Sequence, residues 1–107
     1  DKHMGNIDFT QPAAVIERLI RGLNPWPSAY THFHGKTMKI WDADVTDQEY
    51  EGACGEIVEV TKDALTVKTG VGALIIRELQ MEGKKRMRTD AFLRGFAVKK
   101  GESFSQE

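Results

Sequence analysis

Residues Ile20–Val45 read IRGLNPWPSAYTHFHGKTMKIWDADV and hold, in order, a helix end, a proline-rich corner, an aromatic run and a long strand. Pro25 and Pro27 each fix φ and remove a backbone N–H donor. Each also disfavours helical geometry in the residue before it. The chain therefore leaves a helix near Leu23 and becomes extended within about four residues. We expect Trp26, between the prolines, to be the side chain that packs this corner.

An amphipathic helix is predicted before the corner. Its apolar residues follow i, i+3, i+4, i+7 spacing at Ile16, Leu19, Ile20 and Leu23. Thr10 is expected to cap this helix, and Pro12 is tolerated in its first turn. The helix is expected to end around Gly22.

Short strands follow the corner. Ala29–Phe33 and Lys36–Val45 are predicted to form a hairpin around His34-Gly35. The second strand changes its apolar face between Ile40 and Trp41, which predicts a bulge. Three more strands are predicted at Glu56–Thr61, Ala64–Thr69 and Ala73–Gln80. A short helix that Thr89 can cap is predicted at Thr89–Gly95. A polar tail is predicted from Gly101 onward.

Several short strands joined by glycine turns favour a closed barrel over an open sandwich. The predicted fold is therefore mainly β. It is a small OB-like β-barrel of about five or six strands, with a leading α-helix and a short late helix.

Composition limits the class of protein. The chain has 107 residues, enough for one domain with a single core. No apolar run is long enough to span a membrane, and no signal-peptide pattern is expected in these residues. Its one cysteine, Cys54, excludes an internal disulfide and is consistent with a cytoplasmic location.

The sequence offers little catalytic chemistry. His32 and His34 point the same way on a strand, but no cysteine or carboxylate at zinc-like spacing completes a metal site. Gly70 and Gly72 lie between strands rather than before a helix, so they do not indicate a dinucleotide site. We predict no catalytic residue, no metal site and no cofactor site in this chain.

Charge is unevenly distributed along the chain. Asp42–Asp63 contains eight acidic residues and one basic residue, whereas Lys84–Lys100 contains seven basic residues and one acidic residue. We expect this segregation to persist on the surface, where a basic face attracts phosphate groups. A solvated surface without a partner is the alternative reading of both runs.

The basic turn in Leu79–Arg88, LQMEGKKRMR, is the strongest candidate for binding. It follows the most apolar strand, Gly83 permits a turn, and Met81 and Met87 are expected at the edge of the core. Cationic side chains on a fixed turn can contact phosphates at little ordering cost. The predicted phosphate-binding residues are Lys84, Lys85, Arg86 and Arg88, extended by Arg18, Arg21, Lys36 and Lys39 if the fold brings these near.

Five segments carry a family resemblance. They are MGNIDF (Met4–Phe9), IRGLNPWPSAYT (Ile20–Thr31), GKTMKIWDADV (Gly35–Val45), LQMEGKKRM (Leu79–Met87) and DAFLRG (Asp90–Gly95). In this order and spacing they resemble the C-terminal domain of bacterial methionyl-tRNA formyltransferase. Ser28 stands where that family usually has glycine, so we expect no positive φ at this position. Phe9 stands where tryptophan is common.

The resemblance implies a role in translation initiation. The family transfers a formyl group from 10-formyltetrahydrofolate to the amino group of initiator methionyl-tRNA. Its Rossmann-like N-terminal domain binds that cofactor and carries the catalytic residues. The C-terminal domain helps to hold the tRNA. That N-terminal domain lies outside this sequence, so the chain alone is expected to be inactive and to bind no cofactor.

The resemblance also implies boundaries and partners. Residues 1–9 are expected to be the end of the interdomain linker, with Lys2 and His3 as its basic residues, and residues 10–107 the barrel domain. The expected partners are initiator methionyl-tRNA and the N-terminal catalytic domain of the same polypeptide, with no DNA and no membrane.

Two other functions remain open. The barrel could be a structural or interdomain part of a related formyltransferase that binds no tRNA. It could also be an independent OB-type binder of single strands, which would need exposed aromatic residues on a strand face. Tyr30 and Trp41 are the candidates for that role, while burial is expected for Phe33.

Overall fold

The computed structural model describes residues 4–106 and contains two helices and six strands. The elements are α1 (Ala13–Gly22), β1 (Ala29–Phe33), β2 (Lys36–Thr46), β3 (Ile57–Val60), β4 (Leu65–Lys68), β5 (Ala73–Met81), β6 (Met87–Arg88) and α2 (Thr89–Gly95). This confirms the mainly β fold with one leading and one late helix. Within the described residues, no helix is long and apolar enough to cross a membrane.

All six strands form one antiparallel sheet in the order β1-β2-β5-β4-β3, with β6 paired to β5. Ile40 pairs with Leu79 and Asp42 pairs with Glu78, so Trp41 is an extra residue between two ladder positions. The predicted bulge is confirmed. Because side chains alternate along a strand, the bulge lets β2 change its buried face midway.

The C-terminal segment 101–105 closes the sheet into a barrel, so the prediction of a polar tail is wrong. On one side, Ile57 N donates to Glu102 O at 2.8 Å. On the other side, His32 and Ser105 exchange two backbone hydrogen bonds of 3.0 Å. Phe104 is 5% exposed and belongs to the core. The segment therefore occupies both free edges of the sheet, at β1 and beside β3.

The helix starts differ from the predicted caps. The carboxylate of Asp8 accepts both the backbone N–H (3.0 Å) and the hydroxyl (2.6 Å) of Thr10, so Thr10 caps nothing. Helix α1 begins one residue after Pro12, which is its N-cap. Thr89 is the first residue of α2, and its buried hydroxyl donates to Ile76 O at 2.9 Å. The hydroxyl groups of both threonines thus donate to groups other than the backbone at a helix terminus.

Trp26 does not pack the proline corner, because its side chain is 83% exposed. The corner has cis peptide bonds before Pro25 and Pro27. It is closed instead by the backbone, where Ser28 N donates to Leu23 O at 2.9 Å. The turn is therefore held by its backbone, and the indole lies outside the core.

Ser28 adopts φ of 75°, so the expectation of a negative φ there is also wrong. The residue is 2% exposed at the point where the corner enters β1. A left-handed conformation at this position favours glycine over serine.

The segment before α1 joins the barrel along β1. Ile7 N donates to Tyr30 O at 2.9 Å, and Tyr30 N donates to Gly5 O at 2.8 Å. Ile7 and Phe9 are buried in the core. The division into residues 1–9 and 10–107 stays a prediction, and Lys2 and His3 lie outside the described residues.

Candidate nucleic-acid interface

The loop between β5 and β6, residues 82–86, is fixed at its base. Glu82 N donates to Thr37 O at 2.8 Å, and the Glu82 carboxylate accepts from Thr37 N at 2.9 Å. Lys84 N donates to Met81 O at 2.9 Å across Gly83, whose φ is 79°. This positive φ suits a glycine and lets the chain turn immediately after the strand.

Trp41 supports the same loop from the outer face of the sheet. Its indole N–H donates to Gln80 Oε1 at 3.1 Å, and Gln80 Nε2 donates to Lys84 O at 3.0 Å. The guanidinium of Arg86 lies 4.5 Å from the ring centroid, and the ammonium of Lys39 lies 5.8 Å from it. Both distances fall within the range of a cation–π contact.

The two arginines of the basic turn form ion pairs within the domain. Arg86 donates to the two carboxylate oxygens of Glu78 at 2.7 and 3.2 Å. Hydrogen bonding from Arg86 lowers the pKa of Glu78 below its ordinary value. Arg88 lies 3.3 Å from the carboxylate of Asp42. The acidic and basic runs are therefore not fully segregated on the surface, because β2 and β6 both pair with β5.

Lys84 and Lys85 are the cations of the turn that form no ion pair among the described residues. Both are exposed, and neither forms an ion pair among residues 4–106. Their charges are therefore available to a phosphate without breaking an existing pair.

The fold brings only some of the predicted residues to this turn. Lys39 shares the ring of Trp41 with Arg86, and Lys36 lines the same cavity as Lys84. Arg21 instead pairs with Glu17 of its own helix at 2.6 Å, and Arg18 is exposed on that helix. No described contact links the α1 arginines to the turn.

The aromatic side chains divide into buried and accessible groups. Phe33 is buried, as expected. Tyr30 and His32 lie on the outer face of β1 with ring centroids 5.8 Å apart and are half-buried. Met81 is buried and Met87 packs against the core edge, as predicted.

Sequence reasoning missed the residues that hold the turn. The supporting roles of Trp41, Gln80 and Glu78 depend on which residues of β2, β5 and β6 face one another. Only the bulge at Trp41 left a signal in the sequence. Among the residues described, no group of three or more histidine, cysteine or acidic side chains is arranged to hold a metal ion.

Family membership follows from comparison with known proteins. The sequence model of the family "Formyl transferase, C-terminal domain" matches residues 1–97. The chain belongs to this family. The resemblance carried by the five sequence segments is confirmed.

The formyl transferase C-terminal domain has named relatives. The chain is 55% identical over 106 residues to the methionyl-tRNA formyltransferase of Agathobacter rectalis, covering 97% of this chain and 34% of that protein. It is 50% identical over 105 residues to that of Lachnospira eligens, covering 94% and 33%. The chain thus spans about one third of the length of these curated relatives.

Solved structures support the fold of this formyl transferase C-terminal domain. HypX from Aquifex aeolicus superposes with a TM-score of 0.71 at 20% identity, covering 94% of this chain and 18% of that one. HypX in complex with tetrahydrofolic acid gives a TM-score of 0.68 at 18% identity, covering 100% of this chain and 21% of that one. At this identity the likeness concerns architecture alone.

Proposed function

We propose that this domain positions initiator methionyl-tRNA as the C-terminal part of a methionyl-tRNA formyltransferase. The observation that carries the proposal is the rigid presentation of Lys84 and Lys85 beside Lys36 and Lys39. The similarity to methionyl-tRNA formyltransferases supports it, because those proteins are named for a tRNA substrate.

The proposed mechanism is electrostatic docking. Lysines on a fixed turn bind phosphates with little ordering cost, and each neutralised phosphate releases counterions. Arg86 and Arg88 add positive potential but already share their charges with Glu78 and Asp42. We therefore assign the larger direct contribution to the lysines.

The chemistry of formyl transfer belongs to another part of the proposed whole protein. The N-terminal catalytic domain of the same polypeptide would hold 10-formyltetrahydrofolate and transfer its formyl group, and this domain would act by orienting the tRNA. The site of action is the cytoplasm, where initiator tRNA is charged, and neither DNA nor a membrane is a partner. The chain by itself is expected to transfer no formyl group.

The test measures the affinity of the chain for initiator tRNA against salt concentration. The Lys84→Ala/Lys85→Ala variant should bind more weakly, and its log–log salt slope should fall by about 0.7–0.9 per lost phosphate contact. The matched control is Lys62→Ala/Lys100→Ala, which removes two exposed lysines that lie outside the β5–β6 loop. Unchanged affinity and slope in a folded Lys84→Ala/Lys85→Ala protein would contradict the assignment.

A structural or interdomain role is the second candidate. It is favoured by Trp26, an exposed aromatic side chain on a rigid corner, and by the internal pairing of Arg86 and Arg88. A barrel with this role would not retard initiator tRNA on a gel at low salt. A tRNA-positioning domain would retard it.

A further inference from the structure

A cavity of about 460 Å³ opens directly beside the basic turn. It lies between the β1–β2 turn, the β5–β6 loop and helix α2. Its lining includes His34, Lys36, Glu82, Lys84, Phe92 and Phe96. Its volume falls within the range of small-molecule sites, and most of its wall is apolar.

The aromatic part of the wall is already ordered. Phe92 and Phe96 stack with centroids 5.1 Å apart at an interplanar angle of 15°. The His34 ring packs edge-on against Phe96 with ring centroids 5.4 Å apart, and its centroid lies 4.2 Å from that of Phe33. His34 Nε2 is also 2.6 Å from Glu102 Oε1. A ligand would therefore meet a fixed aromatic surface and spend little free energy on ordering it.

The rim of the cavity carries both charges and hydrogen-bonding groups. Lys36 and Lys84 form no ion pair within the described part of the chain. The acidic rim residue, Glu82, already accepts a hydrogen bond from Thr37 N. The rim thus offers two uncommitted cations beside an apolar interior.

We propose that this cavity holds one unstacked nucleotide of the bound RNA. The base lies against the apolar wall, and its flanking phosphates lie near Lys36 and Lys84. This inference rests on the proposed function, because Lys84 also belongs to the phosphate-binding turn.

The charges at the rim select RNA over a protein side chain as the occupant. An apolar side chain from a protein partner would fill the interior without using either lysine. Single-stranded RNA is recognised by splaying bases onto aromatic surfaces, with cationic side chains on the backbone. Continuity with the Lys84–Lys85 turn places the cavity where such a backbone would pass.

The test uses two RNA hairpins with the same stem. In one, a 2-aminopurine is an unpaired bulge, and in the other the same base is paired with uridine. Affinity is measured by titration at low salt, and fluorescence of 2-aminopurine reports its surroundings. We expect the chain to bind the bulged hairpin at least about fivefold more tightly, with a fluorescence change on binding.

The cavity can be filled without removing a charge. Gly95 lines the cavity and a Cβ there would meet no atom within 4 Å, so Gly95→Leu adds an apolar side chain at the cavity wall. The matched control is Gly22→Leu, since Gly22 also ends a helix and also has no atom within 4 Å of its Cβ position. Gly95→Leu should abolish the preference for the bulge and leave binding of the paired hairpin unchanged, while Gly22→Leu changes neither.

The outcomes separate the inference from the proposed function. Equal affinity for both hairpins, with loss of binding in Lys84→Ala/Lys85→Ala, overturns the nucleotide site and leaves RNA binding by the turn intact. A bulge preference that survives Gly95→Leu also overturns the site. No binding of either hairpin overturns the nucleotide site, whereas the proposed function is overturned only by the titration with initiator tRNA.

Discussion

The guanidinium of Arg86 lies 4.5 Å from the ring centroid of Trp41 and at the same time forms two hydrogen bonds to Glu78. Trp41 also donates to Gln80, whose amide donates to the carbonyl of Lys84. Trp41 thus contacts the last residue of the β5–β6 loop, Arg86, directly. It reaches Lys84, in the middle of the loop, through Gln80. Trp41 is therefore a positioning residue for the exposed lysines.

Replacing Trp41 should loosen the loop. Trp41→Ala removes two cation–π contacts and a hydrogen bond, and we expect it to lower the free energy of unfolding by about 1–2 kcal/mol. Trp41→Phe keeps an aromatic face for Arg86 and should lose less. Urea unfolding measures the stability, and amide hydrogen exchange of residues 84–86 measures the loop. Equal exchange in wild type and Trp41→Ala would contradict the positioning role.

Acid should weaken the Glu78–Arg86 pair. Hydrogen bonding from Arg86 lowers the pKa of Glu78 in the folded state, so folding gains stability above the ordinary carboxyl pKa. That gain is lost as pH falls through the lowered pKa. Glu78→Gln should therefore reduce stability at pH 7 and flatten its dependence on pH below about 4.5.

The control for this experiment is Glu51→Gln. Glu51 is exposed and has no ion pair within residues 4–106. Its replacement removes one carboxylate charge without breaking an ion pair of the described residues. If Glu78→Gln and Glu51→Gln give the same profile, the pair contributes nothing to folding.

Local patterns predicted the elements of this fold well. The hairpin around His34-Gly35 and the bulge at Trp41 follow from alternation and turn residues, which are properties of a few neighbouring positions. The basic turn of residues 82–86 was placed by the same kind of signal. These features depend little on the rest of the chain.

Long-range pairing could not be predicted in the same way. The segment 101–105 is polar except for Phe104, so nothing local indicates that it bridges β1 and the start of β3. The burial of Trp26 was mispredicted because composition does not show that backbone hydrogen bonds close its corner. The pairing of Arg88 with Asp42 depends on the order of strands, which is set by the whole sheet.

Phe104 should carry much of the closure of the barrel. Its ring lies 5.0 Å from Phe33 and 5.8 Å from Phe9. Phe104→Ala should therefore destabilise the fold by about 3–5 kcal/mol. Gln106→Ala is the control, since Gln106 is exposed and accepts from Asn6 only through its backbone carbonyl. A loss below about 1 kcal/mol for Phe104→Ala would mean that the segment is peripheral.

Trp26 should behave as a surface residue despite its place between two prolines. Trp26→Ala is expected to change the free energy of unfolding by less than about 0.5 kcal/mol. In a Trp41→Phe protein, the remaining Trp26 should be quenched by acrylamide more strongly than Trp41 is in a Trp26→Phe protein. Similar quenching of the two, or a large loss of stability in Trp26→Ala, would restore a packing role for the indole.

Ser28 holds a left-handed conformation that a side chain disfavours. With φ of 75°, a non-glycine residue costs about 1–2 kcal/mol relative to the right-handed form. Ser28→Gly removes that cost, while the added freedom of the unfolded chain offsets about 0.5–1 kcal/mol of the gain. The loss of the hydroxyl, which donates to Pro27 O, offsets more of it, so we expect the free energy of unfolding in urea to change by less than about 1 kcal/mol.

Ser28→Ala separates the backbone from the hydroxyl. It keeps the Cβ, and therefore the disfavoured conformation, but removes a buried hydroxyl that donates to Pro27 O. Ser28→Ala should therefore be less stable than the wild type, and Ser28→Gly, which also lacks the hydroxyl but relieves the φ, should be more stable than Ser28→Ala. Because neither variant keeps the hydroxyl, a Ser28→Gly protein less stable than Ser28→Ala would show that relief of the positive φ does not outweigh the added freedom of the unfolded chain.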